Sequence, residues 1–176
     1  SKIEAGRMTL DVGSVDLADI VADSMKVVSQ AAGERNITLE RHGPQHLVLE
    51  ADRRALKQVF LNLLSNAVKF TRDGGSVDVH LSRSRGHVKI SIKDTGIGIA
   101  ETDIAKLGRP FEQVENQFSK SHQGSGLGLA ISRALIELHG GSLRITSRER
   151  QGTTVTCTLP VRPVIADEAP QLAASA

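Results

Sequence analysis

Four polar residues recur along one stretch of the chain: Gln58, Asn62, Asn66 and Lys69, at spacings of four, four and three. On a helix they form a single stripe. A solvated stripe is normally rich in Lys and Glu, whereas this one is rich in carboxamides, and Asn costs about 0.7 kcal/mol relative to Ala in a helix interior. Two amide oxygens one turn apart can face a metal ion, with Lys69 further on to reach a phosphate. A plain solvated face remains the alternative. A second group, Asp94-Thr95-Gly96-Ile97-Gly98-Ile99, follows directly on a strand-like run. An Asp at a strand end, then glycines that let the backbone approach a ligand, suits hydrogen bonding to a base edge. A turn closed by an Asx-type hydrogen bond accounts for the same residues. The third group, Gly124-Ser125-Gly126-Leu127-Gly128-Leu129, opens a helical pattern. Helix N-terminal N–H groups and the helix dipole make a phosphate site. The Gly-x-Gly-x-Gly order fits neither the dinucleotide fingerprint nor a Walker A loop, and a flexible loop is the competing reading.

These groups need elements to hold them. Leu17, Ile20, Val21, Val28 and Ala31 predict a helix over 17–33, with Asp16 as its N-cap. Short strands are expected at 37–40 and 47–50. Asp52 is the expected cap of a second helix running to Phe70, with Ala55, Leu56, Val59, Leu63 and Ala67 inward. Strict alternation of Val77, Val79, Leu81 and of Val88, Ile90, Ile92 predicts a hairpin turning at 83–86. Leu143, Ile145 and then Val155, Cys157, Leu159 predict a second pair. Between the pairs come a short helix near 101–107, a polar stretch over 108–126 and a helix over 127–139. Paired hairpin strands beside three helices imply an α+β two-layer sandwich, with helices on one face of a mixed sheet. Residues 1–15 are expected to be the end of an upstream helix and a linker, 16–160 the domain, and 161–176 a disordered Pro- and Ala-rich tail.

Composition narrows the chemistry. The 176 residues hold four Phe and no Tyr or Trp, which disfavours the stacking platforms of single-stranded nucleic-acid binding. The net charge of +2, without a block of like charge, indicates neither a DNA-binding face nor a membrane-surface patch. A single cysteine, Cys157, rules out an intrachain disulfide and fits a reducing compartment. With no apolar run of membrane-spanning length, a soluble, cytoplasmic piece is expected. His42, His46, His80, His87, His122 and His139 show no metal-ligand spacing along the chain and read as structural or exposed; His139 ends a helix, where its charge suits the dipole.

Together the three groups, in this order and spacing, resemble two-component sensor histidine kinases. Residues 58–71 resemble their N box, Asp94–Ile99 their G1 box and Gly124–Leu129 their G2 box. Pro110-Phe111 is similar to part of the F box, and Gly152-Thr153-Thr154 to the late Gly-Thr element. The resemblance implies the Bergerat ATP-binding fold, shared with gyrase, a heat-shock chaperone and mismatch-repair ATPases. It implies that Asp94 accepts from the adenine amino group, with Gly96, Gly98 and Ile99 around the base and Thr154 helping to hold it. It further implies that Asn66, with Asn62 nearby, ligates Mg²⁺ and that Lys69, beside Phe70, contacts phosphate. The N–H groups around Gly124, Ser125, Gly126, Leu127, Gly128 and Leu129 would cradle the phosphates, and Lys120 is the candidate for the γ-phosphate. The implied partners are ATP and ADP, a dimerisation and phosphoacceptor domain, and a response-regulator receiver domain, in a homodimeric parent. Two departures stand out. Gly108-Arg109 occupy the place of an F-box Phe, and none of the six histidines sits in a His-Glu-x-x-Arg-Thr-Pro-like phosphoacceptor motif. Hydrolytic relatives place a Glu general base where Asn62 stands. A hydrolytic ATPase and a non-catalytic nucleotide sensor are the alternative functions.

Overall fold

Two apolar periods, 3.6 on the helices and 2.0 on the strands, divide this chain into two layers. The structure, a computed structural model, describes residues 9–104, 107 and 127–162. In chain order it runs β1 (Gly13–Asp16), α1 (Leu17–Glu34), β2 (Thr38–His42), β3 (Val48–Ala51), α2 (Arg53–Phe70), β4 (Ser76–Ser84), β5 (His87–Asp94), α3 (Glu101–Ile104), α4 (Gly128–Leu138), β6 (Ser142–Arg148) and β7 (Gly152–Pro160). Among the described residues, five strands make a mixed sheet in the order β2-β4-β5-β7-β6, and β1 pairs with β3 in a small ribbon. β2 lies parallel to β4, and the other neighbours in the large sheet are antiparallel. The expected α+β sandwich is what forms.

Val77, Val79, Leu81, Val88, Ile90, Ile92, Cys157 and Leu159 point from the sheet into one core with Leu56, Phe60 and Leu64 of α2. The alternate residues face away from the helices. α1 begins where expected: Asp16 Oδ1 accepts from the Ala18 N–H at 3.0 Å and from the Leu47 N–H at 2.9 Å. Its inward row is Leu17, Val21, Ser24, Val28 and Ala32, so Ala31 is exposed and the expected inward position moves one residue on. β1 carries too little pattern to be seen in sequence; it gains its hydrogen bonds from β3. Residues 1–8, the stretch 108–126 and residues 163–176, on which several expectations fall, lie outside the described residues. No helix among the described residues is long and apolar enough to cross a membrane.

α2 carries the amide stripe, and both of its ends are fastened. At its start, Asp52 Oδ1 accepts from the N–H groups of Arg54 and Ala55 at 2.9 and 3.0 Å, while the Asp52 N–H donates to His139 Nε2 at 3.0 Å. His139 is 1% exposed, and its Nδ1 donates to the Leu135 carbonyl at 2.7 Å. One nitrogen donates and the other accepts, so this ring is the neutral tautomer. It binds α4 to the start of α2 through hydrogen bonds instead of a charge at a helix end. At the far end of α2, Arg35 donates to the carbonyls of Val68, Lys69 and Thr71 at 2.7, 3.3 and 2.6 Å, and pairs with Asp73 at 2.8 Å. Carbonyls that lack partners within the helix are thereby satisfied. Replacing His139 with Ala removes a buried ring and strands the Asp52 N–H. The variant should lose about 2–4 kcal/mol of unfolding free energy in urea titration, whereas His87→Ala, on an exposed strand end, should change it by less than about 0.5 kcal/mol.

Candidate functional site

β5 delivers Asp94 to the helix-facing side of the sheet, where the side chain is 6% exposed. Its Oδ1 accepts two backbone N–H groups, from Gly96 at 2.8 Å and Thr153 at 3.1 Å. Among the described residues, Oδ2 has no recorded hydrogen-bond partner. Burial raises the Asp94 pKa above the usual carboxylate value, and the two N–H donors offset only part of that effect. A buried acceptor with one oxygen pinned and one available is built to receive a donor.

The surrounding backbone is packed so tightly that side chains are excluded. A Cβ on Gly96 would overlap the Phe70 carbonyl, which accepts from the Ile97 N–H at 3.1 Å. Gly152 has a φ of +98°, and a Cβ there would overlap the Asp94 carbonyl; Gly98 has a φ of +67° and lies equally close to the Arg148 carbonyl. Ile99 donates its N–H to Ser147 Oγ at 2.8 Å, and Ser147 Oγ bonds onward to the Gly152 carbonyl and to Thr153 Oγ1. The loop after β5, the β6–β7 turn and the end of α2 are therefore one hydrogen-bonded unit around Asp94.

The second half of the site lies where α2 meets α4. Asn62 Nδ2 donates to the buried Ser132 Oγ at 2.9 Å, and its amide packs so closely on Gly128 that a Cβ there would collide with it. Asn66, one turn on, is half-buried and has no recorded hydrogen-bond partner among the described residues. Lys69 is also half-buried, with its ammonium 5.2 Å from the centroid of the Phe70 ring. Leu127, Gly128 and Leu129 stand half-buried at the start of α4, whose N-cap position makes no side-chain cap hydrogen bond. Gly124, Ser125, Gly126 and Lys120 lie outside the described residues.

One expected residue moves. Thr154 pairs with Lys93 and alternates with the inward Val155, so it stands on the sheet face turned away from the helices. Thr153 is the residue that bonds to Asp94. Counting back by twos from Val155 reaches Thr153, and counting on from Leu143 and Ile145 reaches Ser147, so strand alternation carried the signal for both. Ser132 likewise stands three and four residues before the buried Leu135 and Ile136. Arg35, outside every motif, gave no such signal.

Residues 51–163 match the family described as histidine kinase-, DNA gyrase B- and HSP90-like ATPases. The chain belongs to that family. It is 51% identical over 166 residues to the non-motile and phage-resistance protein of Caulobacter vibrioides, covering 92% of this chain and 20% of that protein. It is 43% identical to histidine protein kinase DivJ of the same organism, covering 92% of this chain and 27% of DivJ. Full-length ShkA, solved in complex with AMPPNP, superposes with a TM-score of 0.76 at 30% identity, over 89% of this chain and 32% of ShkA. The chain thus spans a fifth to about a quarter of the two curated relatives, and is a histidine-kinase ATPase domain in the Bergerat fold.

Within this ATPase domain, Asp94 is held at a cost to the fold. Its ionised form is disfavoured in the folded state, so the destabilisation is present at neutral pH and fades as the pH falls through the raised pKa toward the ordinary carboxylate range. Asp94→Asn keeps an oxygen for the Gly96 and Thr153 N–H groups and removes the buried charge. Without nucleotide, the variant should melt at a higher temperature than wild type at pH 7.5, with the gap narrowing toward pH 4, as read by calorimetric melts across that range.

Proposed function

We propose that this chain binds Mg-ATP and transfers its γ-phosphoryl group to a histidine on a separate phosphoacceptor domain, from which the group passes to an aspartate of a response-regulator receiver domain. The observation that carries the reading is the buried Asp94, with Oδ1 pinned by two N–H groups and Oδ2 available. An exocyclic amino group is the donor that such a carboxylate selects, and adenine offers one. Ser147 and Thr153 tie the β6–β7 turn to Asp94 and to the loop after β5. The start of α4 offers backbone N–H groups and the positive end of a helix dipole to phosphates, and Lys69 supplies a cation on the same side of α2.

Mg²⁺ fits the donor set. Asn66 offers a neutral amide oxygen, a hard donor of the kind this ion takes, and no recorded hydrogen bond among the described residues competes for it. When bound, the ion would neutralise phosphate charge. Asn62 is less free, since its amide is committed to Ser132 and Gly128; its part is to hold α4 against α2.

In the transfer itself, a nitrogen of the acceptor imidazole attacks the γ-phosphorus while the bond to the β–γ bridging oxygen breaks, and ADP leaves with that electron pair. The contribution of this chain is positioning and charge stabilisation. Hydrolysis would instead require a base for water, and Asn62, an amide, accepts no proton where hydrolytic relatives use Glu. That choice is worth about 10²–10⁴ in rate. The complex of ShkA with AMPPNP and the likeness to histidine protein kinase DivJ support the reading.

Incubation with γ-labelled Mg-ATP tests it. The chain alone should bind nucleotide, acquire no label and release little inorganic phosphate. A separately supplied phosphoacceptor domain of its parent should become labelled in acid-labile, alkali-stable form. Label on this chain itself, or rapid phosphate release abolished by Asn62→Ala, would contradict the assignment.

A further inference from the structure

The sheet face turned away from the helices carries a group of side chains with no part in the site above. β2 and β4 run parallel and in register, so that Glu40 stands beside Asp78 and His42 beside His80. Alternation with the inward Val77 and Val79 puts Asp78 and His80 on the open face, opposite in sense to Asp94. Glu40, His42 and Asp78 each bring one donor atom into a set whose members all lie within 4.8 Å of one another. His42 Nε2 is 3.5 Å from Glu40 Oε2 and 3.6 Å from Asp78 Oδ1. The His80 ring stacks on that of His42, with centroids 4.6 Å apart and planes 20° from parallel.

The two N···O distances decide what the cluster is suited to. They exceed the 2.7–3.2 Å range of a good N–H···O hydrogen bond. They lie close to the edge of a tetrahedron around a small ion: bonds of about 2.0–2.1 Å put neighbouring donors about 3.3–3.4 Å apart. One imidazole and two carboxylates on neighbouring strands, their donor atoms all within 4.8 Å of one another, are the donors that Zn²⁺ takes; imidazole selects against Mg²⁺ and Ca²⁺. Lys93 lies opposite Asp78 in the β4–β5 ladder but forms no ion pair with it among the described residues, so the carboxylate is not already neutralised there.

We propose that Glu40, His42 and Asp78 form a Zn²⁺ site on the open face of the sheet, distinct from the nucleotide site, with His80 stacked on His42 to fix its ring. Asp78 lies 36 residues beyond His42 on a different strand, which is why no metal-ligand spacing shows among the histidines along the chain. Because β2 is an edge strand held by β4, an ion shared between them would clamp the sheet edge and stabilise the fold by mass action.

The test uses the whole chain, Zn²⁺ titrated in a calorimeter and Co²⁺ as an optical probe of tetrahedral coordination. One Zn²⁺ per chain should bind, Co²⁺ should give intense visible absorption, and Zn²⁺ should raise the melting temperature. His42→Ala and Asp78→Asn should each weaken binding by about tenfold or more and abolish the thermal shift, with circular dichroism confirming that both variants fold. His87→Ala, on the hairpin away from the cluster, should bind as wild type. No saturable binding, or binding and thermal shift that survive in a folded His42→Ala, would overturn the proposal.

Discussion

The site proposed for this domain depends on a carboxylate held in a place that disfavours its charge. Asp94 lies at the end of β5, buried under the loop that follows and under the β6–β7 turn. Two backbone N–H groups fasten one of its oxygens. Around it, Gly96, Gly98 and Gly152 permit approaches that any Cβ would block. These glycines are the condition for three backbone segments to share one small volume. A larger residue at any of them would push the loop off the Phe70 carbonyl or the turn off Asp94. The free energy spent on burying the charge comes from the packed sheet behind it, in which Val77, Ile90 and Ile92 are almost wholly excluded from water.

The second requirement is that α2 keep a fixed position on the sheet, between α1 and α4. His139 and Arg35 meet it from opposite ends, one fastening the N-cap residue and the other the last carbonyls. Asn62 adds a third point, where α2 touches Ser132 and the start of α4. Asn66 lies between the middle and final anchors and Lys69 at the final one, so the backbone that carries both is held from either side.

Much of this was legible beforehand. The amide stripe, Asp94 with its glycines and the order of strands and helices follow from patterns of period two and period 3.6, and the sandwich follows from them. What was missed was of two kinds. Thr153 and Ser147 were readable by strict alternation, and the choice of Thr154 came from matching a motif one residue out of phase with the pleat. A slip of one on a strand reverses the face. Arg35 and the neutral His139 were not readable, because their partners are backbone groups 33 to 87 residues away. Backbone carbonyls and N–H groups are alike everywhere in a sequence, so a long side chain that seeks them leaves no local mark. β1 was hidden for a similar reason: four residues supply too short a period, and its pairing with β3 is tertiary.

The central claim, that the available oxygen of Asp94 selects an amino group on the base, is tested most directly by nucleotide discrimination. Calorimetric titration of ATP and GTP, each with Mg²⁺, should be compared in wild type and Asp94→Asn. Guanine carries a carbonyl where adenine carries its amino group, and a buried carboxylate facing it repels instead of accepting. ATP should therefore bind wild type at least about a hundredfold more tightly than GTP, and the preference should collapse in Asp94→Asn, whose amide can donate to that carbonyl. Equal binding of the two nucleotides by wild type, or an ATP preference that survives intact in Asp94→Asn, would contradict the role given to this residue.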